Sequence, residues 1–137
     1  MQDAILILDF GSQYTQLIAR RVRELKVYCE IHPYNNVPLD WKRFNAVILS
    51  GSPYSTLEAD APKPDINFFL GEIPVLGICY GAQYIAKMEG GEVVSSQHRE
   101  YGRANINRLD NSSKLLKGIP RDSSVWMSHG DTIVRLP

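Results

Sequence analysis

The sequence has few cysteines, no long apolar run and no net charge, and each shortage excludes a class of protein. Its two cysteines among 137 residues show no pairing pattern, which indicates a reducing compartment rather than a disulfide scaffold. The longest apolar run, Ala4 to Leu8, is far too short to span a bilayer. Met1 begins a segment without the basic start of a secretory signal. The 15 basic and 15 acidic side chains cancel, which gives no reason to expect a nucleic-acid or membrane surface. We therefore expect a cytoplasmic protein.

The composition is that of a folded domain, with 44% hydrophobic and 22% charged residues. At this length a single domain over residues 1–137 is the expectation. Four apolar runs predict buried strands: Ala4–Leu8, Val27–Ile31, Ala46–Leu49 and Pro74–Ile78.

Helical patterns separate these strands. One predicted helix places Leu17, Ile18, Val22 and Leu25 on one face. A second follows the fourth strand and ends at Gly90-Gly91. Because crossover helices join parallel strands, we predict an α/β fold with an open, mainly parallel (mixed) sheet and helices on both faces.

The remaining segments are less regular. Arg103 to Leu109 predicts an antiparallel or edge strand, Ser113 to Gly118 a short helix, and Val125 to Met127 another strand. The stretch from Ser52 to Pro64 contains three prolines and predicts a loop over the edge of the sheet.

The segment from Gly77 to Gly81 carries the clearest chemical signal. It reads Gly-Ile-Cys-Tyr-Gly, a nucleophile-elbow pattern in which cysteine replaces serine between a buried strand and a helix. The helix N-terminus favours a thiolate at Cys79, and the N–H of Tyr80 can point at an oxyanion. The alternative is a small buried cysteine, which is the interpretation we prefer for Cys29.

A second turn, Ser50-Gly51-Ser52-Pro53, follows the neighbouring strand. Ligands of open parallel sheets bind at the carboxyl ends of the strands. Ser52 can therefore donate a backbone N–H to the same oxyanion, although the segment also fits an ordinary turn.

Other motifs carry no function. Asp9-Phe10-Gly11 matches a kinase triplet, but the other kinase motifs and a phosphate-binding loop are absent from the sequence. The histidines His32, His98 and His129 lack the spacing of metal ligands, so we expect no metal site.

Three segments together resemble a known family. Gly77 to Gln83 resembles the nucleophile element of class I, triad-type glutamine amidotransferases. Ile7 to Tyr14 and Trp126 to Asp131 resemble segments of the GMP synthetase branch of that family. The resemblance runs from residue 4 to the end of the chain.

The resemblance implies a role for each matching residue. Cys79 attacks the side-chain amide of glutamine, and the backbone N–H groups of Tyr80 and Ser52 hold the oxyanion. The family usually has glycine at the position of Ser52, so the turn there is a departure. Substrate contacts are implied for residues of three segments: Gly51, Gln83, Ser128 and Gly130.

The resemblance also implies what lies outside these residues. The family's base is a histidine in a His-Pro-Glu segment, which does not occur in the sequence, so we expect it after Pro137. His32-Pro33-Tyr34 precedes the elbow and lacks the glutamate, and His129 belongs to another motif. In the parent enzyme, ammonia passes to a synthetase domain or subunit that uses ATP and magnesium to aminate XMP to GMP. The amidotransferase domain itself holds no cofactor.

Two alternatives remain open from the sequence. The 137 residues alone fit a catalytically impaired module that binds glutamine or a synthetase partner. An α/β-hydrolase with a cysteine nucleophile shares the elbow, but it needs an acid and a histidine after the nucleophile. The strand at Val125 to Met127 would lie near a sheet edge, which makes a homo-oligomer possible.

Overall fold

The computed structural model describes residues 2–137, without the side chains of residues 97–100. Met1 and the side chain of His98, on which two expectations fall, lie outside this description. The chain divides into two compact units, one formed by residues 1–95 and 131–137 and the other by residues 96–130. The elements, in chain order, are β1 (Ala4–Asp9), α1 (Thr15–Glu24), β2 (Tyr28–Pro33), a 3-10 helix (Trp41–Arg43), β3 (Ala46–Leu49), β4 (Val75–Gly77), α2 (Tyr80–Met88), β5 (Glu92–Asn105) and β6 (Ser124–Arg135).

The first unit is built on a four-stranded parallel sheet in the order β2-β1-β3-β4. All four strands coincide with the predicted apolar runs, which confirms the mainly parallel α/β fold. The order is that of flavodoxin-like doubly wound sheets, in which the order of strand addition reverses between β1 and β3. One boundary differs: β2 continues through His32 and Pro33, two residues beyond the predicted strand Val27–Ile31.

Side chains of each strand alternate between two hydrophobic clusters. On β1, Leu6 and Leu8 face the cluster that includes Tyr80 and Tyr84 of α2. Ile7 faces the opposite cluster with residues of α1. Helices therefore cover both faces of the sheet, as predicted.

The predicted buried face of α1 was partly wrong. The buried residues of the helix are Thr15, Ala19 and Val22, which follow the spacing i, i+4, i+7. Leu17 is 45% exposed because it lies roughly 160° around the helix from Ala19. Leu25 is 77% exposed because the helix ends one residue before it.

Strands β5 and β6 form a separate two-stranded sheet. The predicted strand from Arg103 to Leu109 overlaps only the end of β5, which begins at Glu92. Strand β6 is longer than the predicted Val125 to Met127 segment. Residues 113–118 form turns rather than the predicted helix, and Gly118 has φ +81°, which a right-handed helix does not allow.

The segment from residue 50 to residue 74 contains no helix or strand, so the predicted loop after Ser52 is confirmed and extends further. Within the described residues, no helix is long and apolar enough to cross a bilayer.

Candidate active site

Cys79 occupies the turn between β4 and α2. Its backbone has φ 52° and ψ −113°, a conformation rare for a residue with a side chain, which is typical of strained functional turns. The turn is fixed to β3, since the N–H groups of Ile78 and Gly81 donate to Leu49 O and Ser50 O at 3.0 and 3.2 Å. The thiol is exposed at the start of α2, at the carboxyl edge of the parallel sheet.

Glycine is required on both sides of Cys79. A Cβ at Gly77 would lie 2.5 Å from the backbone nitrogen of Ala82. A Cβ at Gly81 would lie 2.5 Å from the carbonyl oxygen of Leu49 on β3. Both contacts are with backbone atoms, which cannot move away by a change of rotamer as a side chain can. The two glycines therefore allow α2 to begin directly against the sheet.

Partial burial raises the pKa of the Cys79 thiol above its usual value. This is opposite to the lowering that a helix N-terminus predicts on its own. No group in the described part of the chain forms a hydrogen bond with the Cys79 sulfur. Deprotonation of the Cys79 thiol therefore needs a base from outside these contacts.

The Ser50-Gly51-Ser52 turn lies beside the thiol. A Cβ at Gly51 would lie 3.6 Å from Cβ of Cys79 and 3.7 Å from Oγ of Ser12. The backbone N–H groups of Ser52 and Tyr80 have no acceptor among the described residues, so both are available to a ligand. Serine fits at position 52, because its φ is not positive and its Oγ accepts a hydrogen bond from Tyr54 N–H at 3.2 Å.

The sequence analysis missed Ser50, which joins two turns of the site. Its hydroxyl is fully buried, accepts from Phe10 N–H at 2.9 Å and donates to Gly51 O at 2.9 Å. Phe10 in turn packs against Tyr80, with ring centroids 5.5 Å apart. The available signal was a serine placed between a fully apolar strand and a Gly-x-Pro turn.

Two further segments carry predicted substrate contacts. The side chain of Gln83 is almost fully buried on α2, and its Nε2 donates to Asp131 O at 3.3 Å. Ser128 and Gly130 lie on β6 within the second unit, and their predicted contacts stay predictions. Asp131 was not predicted as a site residue.

His32 does not lie near the turn that carries Cys79. His32 lies on β2, where its Nε2 contacts Glu30 at 2.9 Å. Three strand spacings, about 14 Å, separate β2 from β4 in the sheet, so His32 is too far from Cys79. Within the described residues, no three His, Cys, Asp or Glu side chains form a group able to hold a metal.

The doubly wound sheet with a cysteine at a strand-to-helix turn defines an α/β protein with a thiol at the carboxyl edge of its sheet. The chain belongs to the glutamine amidotransferase class-I family, whose profile matches residues 6–137.

Relatives and solved structures agree with this family. GMP synthases (glutamine-hydrolysing) of Cytophaga hutchinsonii and Christiangramia forsetii are 60% and 58% identical over the whole chain. The chain spans 27% of the length of each. A crystal structure from Thermoplasma acidophilum, provisionally assigned to a GMP synthase subunit, superposes with a TM-score of 0.81 at 28% identity. The superposition covers all of this chain and 69% of the Thermoplasma chain. A Thermotoga maritima glutamine amidotransferase shares the fold, with a TM-score of 0.71 at 22% identity, over 96% of this chain and 62% of that one.

Proposed function

We propose that this chain carries the glutaminase site of a GMP synthase. The observation that carries the proposal is the juxtaposition of an exposed Cys79 at a strained strand-to-helix turn with two unpaired backbone N–H groups. A nucleophile beside paired donors is the arrangement that acyl transfer requires.

The reaction follows from this arrangement. The Cys79 thiolate attacks the carbonyl carbon of the glutamine side chain, and a C–S bond forms while the oxygen takes up the charge. Backbone N–H groups of Ser52 and Tyr80 donate to that oxyanion. Collapse breaks the C–N bond, and the nitrogen leaves as ammonia with the proton that the thiol lost. Water then hydrolyses the thioester to glutamate and restores the thiol.

Residues around the thiol would bind the rest of glutamine. Gln83 lies one turn along α2 from Cys79, and Gly51 lies beside Cys79, where a Cβ on the glycine would be 3.6 Å from Cβ of the cysteine. We assign Ser128 and Gly130 to the α-amino and carboxylate groups on the basis of the family resemblance. Ammonia would then pass to a synthetase domain or subunit that aminates XMP with ATP and magnesium, as the family resemblance implies.

The raised pKa of Cys79 and the absence of a bonded base in the described part favour a second candidate for residues 1–137 alone. In this candidate the chain binds glutamine without turning it over. The two candidates agree on binding and differ in ammonia release.

Labelling and turnover separate these candidates. We expect a glutamine-analogue chloroketone to label Cys79 in residues 1–137, and Cys79→Ala to abolish labelling. Ammonia release should be lower by several orders of magnitude than in a version extended through a His-Pro-Glu segment, because loss of a triad member has that effect. Equal labelling of Cys79→Ala would remove Cys79 as the nucleophile. Near-full activity in residues 1–137 would refute the need for an added base.

A further inference from the structure

A side-chain hydrogen bond connects the loop after the Gly51-Ser52 turn to β6. The hydroxyl of Ser55 donates to Oδ2 of Asp131. The same hydroxyl accepts from Leu57 N–H at 3.1 Å, and Glu58 Oε1 accepts from Ser55 N–H at 3.0 Å. These local bonds close a tight turn around Ser55. They fix the hydroxyl in the orientation that reaches Asp131.

Asp131 also holds Gln83. Its backbone carbonyl accepts from Gln83 Nε2 at 3.3 Å, and Gln83 as a whole is only 9% exposed. One residue thus contacts two parts of the proposed glutamine site. Its side chain fixes the loop that follows Ser52, and its main chain fixes the amide of Gln83.

The rest of the loop is anchored on α2 without Asp131. Tyr80 and Tyr84 donate their hydroxyls to the carbonyls of Pro62 and Pro64, and Lys87 Nζ donates to Thr56 O at 2.8 Å. The three α2 side chains follow the spacing i, i+4, i+7 and share one helix face. Loss of the Ser55 bond should therefore loosen the start of the loop and leave the fold intact.

We propose that Asp131 is a positioning residue that holds the Ser52 N–H and the Gln83 amide in the positions that glutamine binding requires. The inference rests on the proposed glutaminase function. Ser52 lies three residues before Ser55 in the chain, so the bond restrains the segment that carries the oxyanion donor. Small displacements of such donors have large effects on rate.

The test uses the full-length polypeptide that carries residues 1–137. Cys79 is labelled with an L-glutamine chloroketone, from which kinact and KI are obtained, and separately with iodoacetamide, which reports thiol reactivity alone. The variants are Ser55→Ala, Asp131→Ala, their combination, and the matched pair Ser55→Thr and Ser55→Val. The pair has similar shape, but only threonine keeps a hydroxyl. The control is Ser112→Ala, because Ser112 bonds Asp110 at 2.6 Å through the same chemistry on an exposed turn.

We expect kinact/KI for the chloroketone to fall about tenfold in Ser55→Ala, Ser55→Val and Asp131→Ala. Ser55→Thr should restore most of the rate, and Ser112→Ala should match the parent. The combined variant should be no slower than Asp131→Ala, since both remove one interaction. Iodoacetamide should react equally with all of them.

Several results would overturn the inference: unchanged chloroketone kinetics in Ser55→Val, an equal loss with iodoacetamide, or losses that multiply in the combined variant. If circular dichroism shows that an alanine variant is unfolded, the comparison of Ser55→Thr with Ser55→Val tests the inference without it. The proposed function fails separately, if the parent reacts no faster with the L-chloroketone than with its D-enantiomer.

Discussion

The hydroxyl of Ser50 joins the turns after β1 and β3, because it accepts a hydrogen bond from the backbone N–H of Phe10 at 2.9 Å. Phe10 packs on Tyr80, the first residue of α2. A buried polar atom at the end of β3 thus connects the β1 turn with the helix that follows the nucleophile.

Replacing this hydroxyl should destabilise the fold. Ser50→Ala leaves the Phe10 N–H buried without an acceptor, which costs about 1–3 kcal/mol. Urea unfolding measures the loss. Ser52→Ala is the control, since its hydroxyl accepts a hydrogen bond from the exposed Tyr54 N–H, and we expect a change within about 0.5 kcal/mol. Equal losses in the two variants would contradict the connecting role of Ser50.

Gly81→Ala should disrupt the elbow. The new Cβ would lie 2.5 Å from Leu49 O and 2.7 Å from Leu49 Cβ, and the Gly81 N–H bond to Ser50 O opposes movement of the helix. We expect a loss of about 3 kcal/mol in thermal unfolding. Gly90→Ala meets nothing within 4 Å and adds only the strain of φ +94°, about 1 kcal/mol. A similar loss in both would show that steric contact with Leu49 is not the cause.

Gly51→Ala should impair the site and spare the fold. Its Cβ would lie at ordinary contact distance, 3.6 Å from Cβ of Cys79, in the space that the glutamine amide must enter. We expect the rate of Cys79 labelling by a glutamine chloroketone to fall at least about tenfold, while stability changes by less than about 1 kcal/mol. Ser12→Ala, which removes atoms from the same space, should have a smaller effect. Unchanged labelling of Gly51→Ala would place the amide elsewhere.

The pH dependence of alkylation tests the environment of Cys79. Because burial raises the pKa of the thiol, the thiolate fraction at neutral pH is smaller in the folded than in the unfolded chain. The rate of iodoacetamide labelling should therefore inflect at a higher pH in residues 1–137 than in the same chain in urea. An inflection at lower pH in the folded chain would mean that the helix N-terminus outweighs burial.

The predictable part of the fold was the part with strong periodicity. The strands at Ala4 and Ala46 are continuous apolar runs, and burial on both faces leaves few other structures for them. Strand β5 runs through polar residues 96–100, so neither hydrophobicity nor alternation indicated it. In α1, the small residue Ala19 rather than Leu17 faces the sheet, which a ranking of side chains by size could not predict.

The features of the site also divide into those that the local sequence predicts and those that it does not. The glycines around Cys79 are local requirements of one turn and are readable from five residues of sequence. The contacts of Asp131 with Ser55 and Gln83 join segments 76 and 48 residues apart. Only the folded chain brings such residues together, and no local pattern indicates that they contact one another.

A last prediction concerns the β2 surface, where Tyr28, Glu30 and His32 share one face of the strand. Glu30 accepts two hydrogen bonds from Arg43, at 2.6 and 2.7 Å, and contacts both of its neighbours on that face. Arg43 is the main reason that the pKa of Glu30 falls from 4.5 to about 2.

A carboxyl with a lowered pKa in the folded state stabilises the fold at pH values above its unfolded pKa. The free energy of unfolding should therefore decline as pH falls from about 4.5 towards about 2. Glu30→Gln should lower stability by about 1 kcal/mol at neutral pH, given the exposure of Arg43, and should flatten the profile in this window. Glu24→Gln is the control, because Glu24 pairs with Arg21 on the exposed face of α1, and its profile should follow the parent. Urea unfolding across the window measures all three, and a Glu30→Gln profile parallel to the parent would show that other carboxylates cause the decline.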